Sequence, residues 1–166
     1  MPGSYNYFKI QIRYFFRKTL PSSNKILDVG PGIGTYYDLL NDIGYDMDCV
    51  EIFAPYIKKY KLKEKYNNVY EGSIVDFDFS KYDCIILGDI LEHLTVDDAK
   101  KILKTITKNK QKCLVAVPYE MEQGESEGNI YETHLQPDLT PKIMLERYPD
   151  LKLLIGNDLY GYYINK

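Results

Sequence analysis

From Lys25 onward the chain alternates short apolar runs with segments of helical period. That rhythm predicts βα units built around a mostly parallel sheet. Before it, Tyr5 to Leu20 carries Phe8, Ile12, Phe15 and Phe16 at spacings of three and four, which predicts a helix ended by Pro21-Ser22-Ser23. Lys25 to Val29 reads as a first strand, followed by the glycine turn Gly30-Pro31-Gly32-Ile33-Gly34 and a helix over Thr35 to Ile43. Gly44 suits that helix's left-handed terminus. Asp46 to Ile52 is a second strand. Pro55 fits the first turn of a helix running to about Tyr66. Asn68 to Glu71 reads as a third strand, and Asp83 to Leu87, apolar from Cys84 on, as a fourth buried on both faces.

Thr95 and Asp98 resemble a capping pair, and Ala99, Ile102, Leu103 and Ile106 mark one buried face of the helix they start. Lys112 to Val117 is a fifth strand. Glu120 to Gln136 is polar, with Gly124 and Gly128, and reads as an exposed loop. Thr140-Pro141 opens a last helix, ended before Pro149. Leu151 to Ile155 and Leu159 to Ile164 then form a closing antiparallel hairpin around Gly156-Asn157-Asp158. The sum is a single α/β domain over residues 1–166. Its doubly wound sheet has seven strands, the last reversed, with helices on both faces. Residues 1–20 are expected to act as a helical lid or packing segment.

Composition narrows the picture. A chain of 166 residues with 45% apolar and 27% charged residues has enough core to fold without staples. A net charge of −3 argues against a broad basic surface for duplex nucleic acid. The 17 tyrosines, with no tryptophan, read as compositional bias before they read as a binding groove. Cys49, Cys84 and Cys113 are isolated in strand-like runs, which suggests buried thiols in a reducing compartment. No apolar run is long enough to span a membrane, and the first residues are unlike a secretory signal, so the cytoplasm is expected.

The sharpest signal is Leu27-Asp28-Val29-Gly30-Pro31-Gly32-Ile33-Gly34. Glycines at 30, 32 and 34 remove Cβ atoms where backbone must turn sharply and touch a ligand. The turn falls between a strand end and a helix start, where open α/β sheets bind ligands. Its third glycine comes one residue earlier than in the dinucleotide fingerprint. Glu51 closes the second strand 23 positions after Asp28, one βαβ step away. A carboxylate there can accept both hydroxyls of a ribose.

These segments, together with Gly88-Asp89-Ile90-Leu91-Glu92-His93, resemble class I S-adenosylmethionine-dependent methyltransferases, over nearly the whole chain from Lys25. The resemblance implies a Rossmann-like fold and S-adenosylmethionine as cofactor. It places the backbone of Gly30, Pro31, Gly32 and Gly34 around the cofactor's amino-acid portion, with Asp28 orienting that loop. It gives Glu51 the ribose hydroxyls, sets Ile52 beside the adenine, and puts Ser73 and Ile74 (or Asp76) at the adenine edge. Leu87, Gly88 and Asp89 would face the methionine portion.

Asp89, Glu92 and His93 follow the fourth strand, and His134 is the chain's other histidine. Three readings stand. His93 or His134 acts as a general base. Asp89, Glu92, His93 and His134 gather a divalent metal, as mixed carboxylate and imidazole sets do. Or Glu92 and His93 only cap the next helix. The string is similar to the E-x-x-E-H of metal-assisted methyltransferases, with Asp89 in place of the first Glu. The candidate catalytic residues are Asp89, His93 and His134, and the segment Asn129 to Leu135 is expected to sit over the acceptor site, with a plain surface loop as the alternative. Lys9, Arg13, Arg17 and Lys18 read as a solvated helix face, as do Lys58 to Lys65. The resemblance implies methyl transfer to oxygen or nitrogen of a small molecule or a nucleotide end. A cofactor-binding sensor without turnover is the alternative. A nicotinamide oxidoreductase is disfavoured by the glycine spacing, and the Tyr56 segment, which offers Tyr and Lys, is expected to face solvent.

Overall fold

The computed structural model describes residues 4–166; Met1, Pro2 and Gly3, the start of the predicted N-terminal segment, lie outside the described residues. The strands are β1 (Lys25–Val29), β2 (Asp46–Glu51), β3 (Val69–Glu71), β4 (Cys84–Gly88), β5 (Lys112–Pro118), β6 (Leu151–Gly156) and β7 (Tyr160–Asn165). They form one sheet in the order β3-β2-β1-β4-β5-β7-β6. Only β7 runs against the others, pairing antiparallel with both β5 and β6. The progress of the chain across the sheet reverses between β1 and β4, which opens a crevice at the carboxyl ends of both strands.

The helices are α1 (Lys9–Thr19), α2 (Thr35–Leu40), α3 (Ala54–Lys59), α4 (Leu62–Lys65), α5 (Val96–Lys108) and α6 (Pro141–Arg147). Strand alternation sorts the core into two layers. Ile26, Ile86, Leu114 and Tyr162 pack with Ile12 and Phe16 of α1, Leu40 of α2 and Leu62 of α4. Leu27, Ile85, Leu87 and Val115 pack on the other face with Ala99, Ile102 and Ile106 of α5 and Met144 of α6. Fully burying side chains such as Ile12 and Phe16 contributes roughly 1.5–3 kcal/mol each, so α1 is a docked layer of the fold. Thr95 caps α5 by accepting the Asp98 N–H at 3.1 Å, the pair expected from the sequence.

Three expectations need correction. The first helix begins at Lys9, because Phe8 takes a left-handed conformation (φ 57°) that ends the periodic segment there. The helix after Pro55 is broken: Lys61 has φ 52°, and the bend buries Leu62 and Tyr66. The segment 120–136 is not a free loop, since Asn129 and Gln136 are each 2% exposed. Gln136 donates to the carbonyls of Leu91 and Leu94 at 2.7 and 3.0 Å and accepts from Tyr148, which fastens the loop to the turn after β4. Among the described residues no helix is long and apolar enough to cross a membrane. All three cysteines are buried and unpaired.

Candidate active site

One pocket opens at the switch point, enclosing about 940 Å³, part of it open to solvent. Its floor is the glycine turn. Gly30, Gly32 and Gly34 have φ of 56°, 52° and 88°, and the Gly30 N–H donates to the Val50 carbonyl at 2.8 Å. Of the predicted cofactor residues, Gly30, Pro31, Gly32, Glu51, Ile52, Ser73, Ile74, Gly88 and Asp89 line this one space. Glu51 is 4% exposed, and one carboxylate oxygen accepts the Phe53 N–H at 2.8 Å. Burial pushes its carboxyl up to about 7.

Three predicted cofactor residues lie behind that wall. Asp28 is buried and takes the Tyr66 hydroxyl at 2.5 Å on one oxygen, while its other oxygen has no partner. Desolvation raises its carboxyl to about 7, against the pull of Tyr66. Gly34 caps α2 on the far side of the turn, with the Lys65 side chain against it. Leu87 is fully buried on the α5 face, because strand parity turns it away from the face that Gly88 presents. Asp76, the alternative at the adenine edge, instead pairs with Lys101 at the surface.

Asp89 sits on the pocket wall in a left-handed conformation (φ 55°), accepting the Tyr160 hydroxyl at 2.9 Å. Desolvation raises its carboxyl, and hydrogen bonding and the nearby Lys9 oppose the rise. Gly88 is Cβ-free for a packing reason: a methyl there would overlap the ring of Tyr36, another wall residue.

His93 also lines the pocket, whereas His134 lies behind it, edge-on to His93 with ring centroids 4.7 Å apart. Each Nδ1 faces a carbonyl, Thr133 at 3.2 Å and Met121 at 2.7 Å. A carbonyl cannot donate, so each Nδ1 carries a proton. Burial, with His134 beside it, lowers His93 to about 4, so it is neutral at pH 7. Glu92 is 1% exposed, and neither carboxylate oxygen has a hydrogen-bond partner among the described residues. Burial drives its carboxyl well above the usual range. Ligand atoms of Glu92, His93 and His134 lie within 4.8 Å of one another. Asp89, the fourth member of the predicted group, is not among them.

Several pocket residues were not foreseen, Ser4, Thr35, Tyr36 and Tyr56 among them, whereas Asn129, Tyr131 and Glu132 belong to the segment expected over the acceptor site. Tyr56 is 3% exposed, contrary to the solvent-facing expectation. Asn129, Tyr131 and Glu132 arrive with the pinned loop. Its docking depends on Gln136, whose carbonyl partners Leu91 and Leu94 lie 45 and 42 positions earlier, a separation a local reading does not register.

Fold and pocket together define a class I methyltransferase domain. The chain belongs to the family described as "Methyltransferase domain", whose model matches residues 4–118. An uncharacterized protein of Methanocaldococcus jannaschii is 30% identical over 94 residues, a match that spans 55% of this chain and only 40% of that relative's length. Among solved structures, the methyltransferase domain of bacterial CtHen1-CN superposes with a TM-score of 0.67 at 18% identity, over 95% of this chain and 96% of that one. The 1,6-didemethyltoxoflavin-N1-methyltransferase of Burkholderia thailandensis was solved with 1,6-didemethyltoxoflavin and S-adenosylhomocysteine bound. It superposes with a TM-score of 0.66 at 13% identity, over 96% of this chain and 77% of that one. At these identities the likeness is one of fold.

Proposed function

We propose that the chain is one cytoplasmic methyltransferase domain that uses S-adenosylmethionine to methylate oxygen or nitrogen of a small acceptor. One observation carries this reading: the Cβ-free bend at Gly30 to Gly32 and the Glu51 carboxylate line the same pocket. A space lined by Cβ-free backbone and a buried carboxylate fits an amino-acid portion and a ribose. The cofactor, when bound, supplies an electrophilic methyl carbon whose bond to sulfur breaks as the acceptor's lone pair bonds to it. The chain's part is to align the acceptor and keep water out. Asp89, fixed by Tyr160, orients the methionine end, and His93 presents its Nε2 lone pair toward the acceptor side.

The charge of the walls supports a small acceptor over a nucleotide end. Among the described residues no Lys or Arg lines the pocket. The loop that covers it carries Glu120, Glu122, Glu125, Glu127 and Glu132 with no basic residue between them. Phosphates are held by Lys and Arg, so such walls repel them. The test is calorimetry with S-adenosylhomocysteine followed by methyl turnover on neutral, amine-bearing and phosphorylated acceptors. Micromolar binding with turnover on the first two groups is expected. Binding without turnover on any acceptor would make the protein a sensor, and no binding would end the reading.

The orphaned Glu92 carboxylate favours a second feature, a divalent metal held by Glu92, His93 and His134. Each imidazole has its Nδ1–H fixed by a carbonyl, the arrangement metal-binding histidines adopt. We expect purified protein to take up about one equivalent of Zn²⁺ or Mn²⁺. Glu92→Gln should lower that uptake at least tenfold. Equal uptake by the variant, measured by elemental analysis, would remove the metal.

A further inference from the structure

Lys9 was expected on a solvated face, and the structure turns it inward. It lies on the same stripe of α1 as Ile12 and Phe16, three and seven residues on, so the packing of those two carries it beneath the pocket. Its ammonium is buried, with no hydrogen-bond partner among the described residues. It stands 4.3 Å from the centroid of the Tyr36 ring and 5.6 Å from that of Tyr162. Tyr36 is a pocket wall residue, and so is Asp89, whose charge acts on Lys9.

Three donors on this nitrogen are left unused, an arrangement that burial penalises unless an anion completes it. Desolvation lowers the amine to about 8, while Asp89 and Asp28 hold it up, so it is mostly protonated at pH 7. Its competitor near the glycine turn, Lys65, is already engaged with Asp38 at 2.8 Å and the Ile33 carbonyl at 3.1 Å. The carboxyl groups lining the pocket can meet a sulfonium and an ammonium. They cannot meet a carboxylate. A ligand with a free amino-acid end brings both kinds of charge.

We propose that Lys9 is the partner of the carboxylate on the amino-acid end of the bound cofactor, reached by a swing of its flexible stem past the Tyr36 ring. This inference rests on the cofactor reading above and deepens it. It assigns the anionic half of the ligand to α1, outside the glycine turn. The same contact ties α1 to ligand binding, since the stem can engage the carboxylate only while Ile12 and Phe16 hold the helix in place.

The test is a cycle of two ligands and two proteins, read by calorimetry. The ligands are S-adenosylhomocysteine and its decarboxylated analogue, which keeps the adenosine, the thioether and the amine. On the wild-type chain, loss of the carboxylate should weaken binding about 10- to 100-fold, as for a hydrogen bond between charged groups. On Lys9→Met the two ligands should bind within about threefold of each other, with the analogue's affinity near its wild-type value. Lys9→Arg should recover most of the preference for the carboxylate. If Lys9→Met does not fold, Lys9→Gln, which keeps a polar end, takes its place in the cycle. An unchanged carboxylate preference in the neutral variant would overturn the proposal, as would equal weakening of both ligands, the mark of a merely structural lysine. Failure of both ligands to bind the wild-type chain would instead overturn the cofactor reading itself.

Discussion

Gly32→Arg is expected to leave a folded chain that no longer binds S-adenosylmethionine, with affinity reduced at least about 100-fold. Gly32 is buried on the pocket floor with φ 52°. A side chain there projects into the space the ligand needs, and its guanidinium adds positive charge beside a sulfonium. A non-glycine residue in this conformation costs roughly 1–3 kcal/mol, well below the 5–15 kcal/mol of a typical domain. Circular dichroism and a thermal midpoint should therefore show a native fold. Gly44→Ala is the control: its φ is also positive, at 96°, with nothing within 4 Å of the added methyl. It should share the loss of stability and keep full affinity. Full affinity in Gly32→Arg, measured by calorimetry, would remove the glycine turn from the site.

Glu51→Ala is expected to weaken cofactor binding by about 1–3 kcal/mol, the cost of losing hydrogen bonds to a buried charged acceptor. The variant also leaves the Phe53 N–H without its acceptor. A pH dependence accompanies this. Because burial raises Glu51 to about 7, the free protein holds it protonated below that value. Ribose hydroxyls donate to the ionised form, so binding expels the proton below pH 7. Affinity should rise from pH 5.5 to 7.5 and flatten above. Stability runs the other way. The native state keeps this proton to about pH 7, whereas the unfolded chain releases it near its ordinary 4.5. Glu51 therefore lowers the stability of the ligand-free protein as pH climbs between those values. Glu51→Gln should remove the affinity slope and its own share of the stability slope, leaving the share of Asp28, which burial also raises to about 7. An affinity profile identical to that of the wild-type chain would reject the ribose role.

The two features behind these predictions were legible because each is local. A glycine cluster after an apolar run, and an acid one βαβ step later, need no knowledge of distant contacts. The sheet was legible for the same reason, including its reversed last strand, since Gly156-Asn157-Asp158 marks the hairpin directly. Leu87 was misplaced because β4 is apolar on both faces, which hides the parity that decides what a strand end shows to the crevice. Lys9 carried a readable signal that charge obscured: its spacing to Ile12 and Phe16 outweighs its chemistry. Asn129 to Leu135 was legible as a cover for the acceptor side, but the burial of Asn129 and the meeting of His93 with His134 were beyond local reading. They depend on Gln136 and Tyr148 binding the loop back across the sheet.

The hydroxyl that steadies Asp89 comes from Tyr160, on the strand added after the region the family model covers. The tail of the chain is thus a working part of the pocket wall and not a finishing trim. Trimming the molecule back to its recognisable family segment would leave Asp89 without that tether and bare the long side of β5. Any shortened version made for crystallisation or for fusion should keep the chain through Asn165.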